Sequence, residues 1–206
     1  KKGDKNLPFE AEYQAFQGTA TISADAMNVL YIGLENPISV SVPGANPNAV
    51  NVVMRGGTLT RKGKGSYIAK VRRGTREAVI SAMVDGKVRG TMKYRIKNVP
   101  RPKAVVIPQG SGATSKASLI AQNSMRAVMD NFVFEGIRYK VTSFNMTLVP
   151  KRRPPVTRSV NGASLGSVKS VISQASQGDK VIFSDIKATG PGGGKRLDPL
   201  VFDITR

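Results

Sequence analysis

Cysteine, histidine and tryptophan are all absent from this 206-residue sequence. Without a thiol or an imidazole there is no disulfide, no thiolate nucleophile, no Cys/His zinc site and no His-based proton shuttle. A disulfide-free chain is the norm in the cytosol and is also permitted in an oxidising compartment, so composition leaves the compartment open. Aromatic residues make up only 6% of the chain, so its cores must be built mainly from Val, Ile, Leu, Met and Ala. No run approaches the roughly 18 apolar residues that a membrane-spanning helix needs. Lys1-Lys2-Gly3-Asp4 does not open a signal peptide, and a polar, Lys-rich start without Met is expected of a piece cut from a longer chain.

Cations are plentiful: 32 Lys and Arg stand against 13 Asp and Glu, a formal charge of +19. Such a balance attracts nucleic acid, an anionic membrane or an acidic protein face. The charge is unevenly spread. Residues 1–54 carry three basic and five acidic side chains, net −2, whereas residues 55–103 carry fifteen and two, net +13. Residues 138–158 hold six basic side chains and no acidic one.

The sharpest break along the chain is Asn98-Val99-Pro100-Arg101-Pro102-Lys103. Two prolines in three residues favour extended backbone and exclude a helix or central strand. This predicts a β-sandwich domain over 1–99, a short linker at 98–103 and an α+β domain over 103–206. The fold class expected is mostly β, with an Ig-like first domain and two helices packed on strands in the second.

In the first half, Met27–Ile32, Ile38–Val42 and Val50–Met54 are apolar or alternating runs, and Tyr67–Arg72 alternates with one wet face. The strongest local signal is Ala78–Lys97, where Asp85-Gly86 supplies a type I′ hairpin turn. After it, Lys87, Arg89, Lys93, Arg95 and Lys97 alternate with Val88, Met92, Tyr94 and Ile96. Period two predicts a basic stripe on one face and the apolar set on the other.

In the second half, Ala104–Ile107 reads as a strand. Ser115 caps a helix whose apolar or small positions run from Ala117 to Phe132 at helical spacing. Ile137, Tyr139 and Val141 alternate as a strand, and Phe144, Met146 and Leu148 continue it on the opposite parity, which predicts a bulge near Thr142-Ser143. Pro150–Pro155 is a basic loop, Leu165–Ala175 a second helix ended by Gly178, and Val181–Phe183 and Leu200–Ile204 are strands.

Catalytic motifs are missing from these patterns. Gly190-Pro191-Gly192-Gly193-Gly194-Lys195 lacks the Lys-Ser/Thr and following helix of a phosphate loop, and reads as a hairpin connection. Asp179 and Asp185 flank an apolar strand with no base paired to them, and Asp179 after Gly178 reads as turn chemistry. No catalytic, cofactor-binding or metal-binding residues are assigned. The partner-binding candidates are Arg138 and Lys140, the polar positions of an alternating strand, and Lys151, Arg152, Arg153 and Arg158 in a proline-bounded loop, together with the stripe of Lys87, Arg89, Lys93, Arg95 and Lys97. A basic sheet face would also suit nucleic acid. Single-strand binders interleave aromatics for base stacking, however, and the charged parity here carries none. The favoured reading is a protein-facing surface without nucleic acid.

Short segments in fixed order then resemble a known family. Asn36-Pro37-Ile38-Ser39-Val40-Ser41-Val42-Pro43-Gly44 resembles one domain of the GldM/PorM family. Tyr139-Lys140-Val141-Thr142-Ser143-Phe144, Gly178-Asp179-Lys180-Val181, Asp185-Ile186-Lys187-Ala188 and Gly190-Pro191 resemble the C-terminal domain that follows it, with a basic character nearest the PorM branch. The resemblance implies a non-enzymatic, dimeric rod of the type IX secretion and gliding machinery. It implies an inner-membrane anchor outside this sequence that joins a GldL/PorL-like protein. Its distal, periplasmic end would meet GldN/PorN-like and GldK/PorK-like ring proteins and pass on motion powered by the proton gradient. The +19 charge then suits an acidic partner face.

Overall fold

The computed structural model describes residues 28–206 apart from Asn131, Val133 and Glu135. Lys1–Asp4 and Met27, read above as a tail and a strand start, lie outside the described residues. Two compact units make up the chain: one runs up to Leu30 and then from Asn36 to Ile96, the other takes Tyr31–Glu35 and Lys97–Arg206. Both are mostly β.

Seven strands run along the first unit: β1 (Val29–Ile32), β2 (Asn36–Ser39), β3 (Asn51–Arg55), β4 (Gly57–Gly63), β5 (Ser66–Val71), β6 (Glu77–Val84) and β7 (Lys87–Asn98). They form one sheet in the order β1-β7-β6-β3 and another in the order β2-β5-β4. Second, fifth and fourth strands together, with third, sixth and seventh opposite, is the immunoglobulin arrangement, here with the first strand beside the last. Alternation explains the core. Leu30, Ile38, Tyr67, Ala69, Ala78 and Ile80 point inward from both sheets, and a smaller cluster of Val42, Val50, Ala82 and Val84 lies at one end. Gly56-Gly57 does more than end β3. Gly56 takes φ +93°, and a Cβ on Gly57 would collide with the Lys70 carbonyl, so glycine alone lets the chain step from one sheet to the other.

The Asp85-Gly86 turn forms as expected, with φ of 50° and 73°. The strict alternation predicted after it does not hold. Ala82 pairs with Gly90, yet Met83 pairs with Val88, so Arg89 is an extra residue in β7. Residues directly opposite across a ladder share a face, so this bulge reverses the parity on its two sides. Lys93 and Arg95 lie outward with Val79 and Glu77, and Lys97 continues their parity. Lys87 instead sits opposite the inward Val84, and Val88 turns outward with Met83. The five-residue stripe is therefore corrected to Lys93, Arg95 and Lys97, with Val88 joining the wet face.

In the second unit the strands are β8 (Lys103–Val105), β9 (Gly112–Ser115), β10 (Arg126–Val128), β11 (Lys140–Val149), β12 (Val156–Asn161), β13 (Lys180–Gly190), β14 (Gly193–Arg196) and β15 (Leu200–Thr205). The main sheet runs β12-β11-β13-β15-β9, with β14 beside β13; β8 and β10 pair separately. The bulge expected near Thr142-Ser143 is present as register shifts between Val141 and Asn145. Two helices, α1 (Lys116–Ile120) and α2 (Lys169–Ile172, entered by a 3₁₀ turn at Gly166–Val168), cover the apolar face. Leu119, Val168, Val171 and Ile172 join the same core as Phe144, Phe183 and Phe202. Ser115 caps α1 by accepting the Ser118 N–H at 3.1 Å, as predicted, but the helix ends after a little over one turn. The expected extension to Phe132 is wrong. Met125 donates its N–H to Ala163 and Arg126–Val128 pair with β8, so ladder bonds and the burial of Met125 replace a helical continuation.

Candidate functional site

The basic loop of the second unit joins β11 to β12 and is held by one carboxylate. Asp179 is 4% exposed, and its two oxygens accept the Lys151 N–H at 3.0 Å and the Ser176 N–H at 2.8 Å. Chiefly the Ser176 N–H, helped by the Lys151 N–H and the charges of Arg153 and Lys151, keeps this carboxyl below its ordinary range against the opposing effect of burial. The main chain of Asp179 is fixed as well, since Ile204 donates to its carbonyl at 2.9 Å. Gly178, at φ +86°, leaves room that the Lys151 side chain fills. Arg153 donates to the Gln174 carbonyl at 3.0 Å, at the end of α2. Around these bonds lies an open notch of about 380 Å³ lined by Lys151, Arg152, Arg153 and Gln177. One backbone bond from Lys151 and one side-chain bond from Arg153 thus tie this exposed cationic edge to the neighbouring turn.

The six partner-binding candidates do not form one patch. Arg138 precedes β11 and Lys140 is its first residue, while Lys151–Arg153 lie beyond its last residue, Val149. At about 3.3 Å per residue, the ends of β11 stand some 30 Å apart. Arg158 projects from the edge strand β12, opposite Met146. Lys151, Arg152 and Arg153 line one notch together, and the other three candidates do not line it.

A second polar hollow, of about 350 Å³, sits over the middle of the main sheet. Asn145 donates to Asp185 at 3.2 Å there, and Lys187 and Arg196 pair across β13 and β14. Sequence reading missed Lys187 and Arg196. Lys187 does alternate with buried Ile186 and Ala188, but its approach to Arg196 depends on how the glycine turn closes. That turn is a hairpin, as expected, and its glycines have a steric cause: a Cβ on Gly190 or Gly192 would strike Tyr139. Asp185 takes φ +47°, and lies six residues along β13 from Asp179, about 20 Å away, so the two carboxyls form no acid–base pair. Among the described residues no group of His, Cys, Asp or Glu could hold a metal ion.

Comparison with known proteins gives the family. Residues 19–97 match the GldM third domain and residues 100–205 match the GldM C-terminal domain. No curated protein matches. Among solved structures, the adhesin InvE of Yersinia pseudotuberculosis is similar at 16% identity over 87% of this chain and 57% of that one, with a TM-score of 0.25. The chain thus spans little more than half the length of that structure. With two consecutive domain matches spanning nearly all of it, the chain belongs to the GldM family.

Proposed function

We propose that this chain is the periplasmic end of an inner-membrane-anchored coupling rod. It acts as a dimer and carries motion from the proton-driven motor to the outer ring of the secretion machinery. Family membership makes it a component of type IX secretion and gliding motility. The finer role is a binding one: the cationic edge at Lys151, Arg152 and Arg153 meets acidic surfaces of GldN/PorN-like and GldK/PorK-like ring proteins. The GldL/PorL-like partner is engaged elsewhere in the protein, and the boundary between the two domains is the Pro-rich stretch at 98–103.

The observation that carries this reading is the Asp179 lock, because a loop tied by the Lys151 N–H to Asp179 and by the Arg153 side chain to the Gln174 carbonyl loses less entropy on docking than a free one. No helix among the described residues is long and apolar enough to cross a membrane. Nucleic acid is disfavoured because every described aromatic ring is buried or half-buried, leaving none free to stack on bases. The test is binding of the purified ring proteins to the whole chain with Lys151, Arg152 and Arg153 all changed to Glu. A loss of about tenfold or more is expected, steeper at low salt. Unchanged affinity would sink the assignment to this loop.

A further inference from the structure

We propose that the outer face of the β1-β7-β6-β3 sheet docks a protein surface that is apolar at one end and carboxylate-bearing at the other. The face lies wholly outside the 151–153 loop and follows from a different observation. Register assigns its occupants. Val53 is opposite Ser81 and Arg55 opposite Val79 across β3 and β6; Met83 is opposite Val88 and Val79 opposite Lys93 across β6 and β7. Among the described residues the large hydrophobic side chains left exposed are Val53, at 45%, and Val88, at 59%. Both lie on this one face.

They are also contiguous. Val88 stands beside Met83, which is diagonal to Val53, which is diagonal to Val79, so an apolar band crosses three strands. The hydroxyls of Ser81 and Thr91, 3.0 Å apart, satisfy each other in its middle. Single exposed hydrophobes are ordinary, but a connected apolar band on a sheet face marks a contact surface. The Arg89 bulge is what completes it, because unbroken alternation would have turned Val88 toward the interior. The outer face of the other sheet provides a contrast: Thr58 and Lys70 pair there, as do Thr60 and Ile68, and no large hydrophobic side chain is exposed.

Charge selects the occupant. Beside the band stand Arg55 and Lys93, both opposite Val79, while Arg95 lies opposite Glu77 across the ladder. A second copy of this chain would bring the same cations to meet Arg55 and Lys93, setting like charges within a Debye length of roughly 8–10 Å. A partner with Asp and Glu beside an apolar strip meets both halves of the face.

The test places a photo-crosslinking amino acid at Val88 or Val53 in the full-length protein in its own cells, with Thr60 as the control position on the other sheet. The expected result is an adduct with a different protein at Val88 and Val53 but not at Thr60, with the crosslinked peptide flanked by Asp or Glu. Its yield should fall about tenfold when Arg55→Glu and Lys93→Glu are combined, the thermal midpoint of the purified variant staying unchanged. An adduct only between two copies of this chain, equal yield at Thr60, no adduct, or a yield indifferent to charge reversal would each overturn the proposal.

Discussion

In the first unit the space between the sheets is filled by Leu30, Ile38, Tyr67 and Ile80 with two alanines, Ala69 and Ala78, and further apolar residues form a separate small cluster. In the second unit a single core runs through the sheet and both helices around Phe144, Phe183 and Phe202, whose rings meet edge to face at 5.7 and 6.0 Å. With few aromatics available, the described phenylalanines all lie in the second unit. The sandwich core is completed by small alanines, whereas the second core is filled by large rings. The two units should therefore fail in opposite ways, one by overfilling and the other by emptying.

Emptying gives the largest effect. Phe183→Ala should destabilise the second unit by about 3–5 kcal/mol, because a fully buried ring leaves a cavity among two others. Hydrogen exchange resolved by residue should show β13 and β15 losing protection while β5 and β6 keep theirs; equal loss in both would break the contrast. Overfilling comes next. Ala69→Leu, at a position with no exposure, should destabilise the first unit by about 1–3 kcal/mol through strain, seen as lost protection in β5 and β6.

Asp179→Asn should cost about 1–3 kcal/mol, since one of two part-buried N–H groups loses the carboxylate that accepts from it. The sign with pH follows from the lowered folded pKa. The stabilisation is fully present above the unfolded value of 3.8 and is lost as pH falls through the still lower folded value. Thermal midpoints taken between about pH 5 and pH 2 should therefore converge for wild type and Asp179→Asn at the acid end. A constant gap would show that the carboxylate charge has no part in the lock. Smallest of all, Val88→Thr should change stability by no more than about 0.5 kcal/mol, because the side chain is 59% exposed. A larger loss, measured by urea unfolding, would mean that Val88 packs and is not a free contact residue.

Much of the fold was legible in local pattern. The Asp85-Gly86 hairpin, the Ser115 cap, the bulge near Thr142-Ser143 and the inward set Leu165, Val168, Val171, Ile172 and Ala175 all appear in the structure. The strands β4 and β12 escaped notice, because Gly57–Gly63 and Val156–Asn161 are edge strands rich in Thr, Arg, Ser and Gly, with too few apolar positions to show a period. The candidate site was less legible. Lys151-Arg152-Arg153 was visible as charge, but Asp179, which holds it, comes 28 residues after Lys151 and looked like ordinary turn chemistry.

What the sequence determined by itself was the exclusion of thiol and imidazole chemistry, the β-rich class and the positions of its sharp turns. Each of these depends on residue identity or on neighbours a few positions away. Only the tertiary structure decided which face Val88 and Lys87 occupy, where α1 stops, and which of the six scattered cations stand together. The physical reason is that facing is a relation between two strands. One extra residue at Arg89 is invisible within β7 and becomes a reversal of faces only when counted against β6.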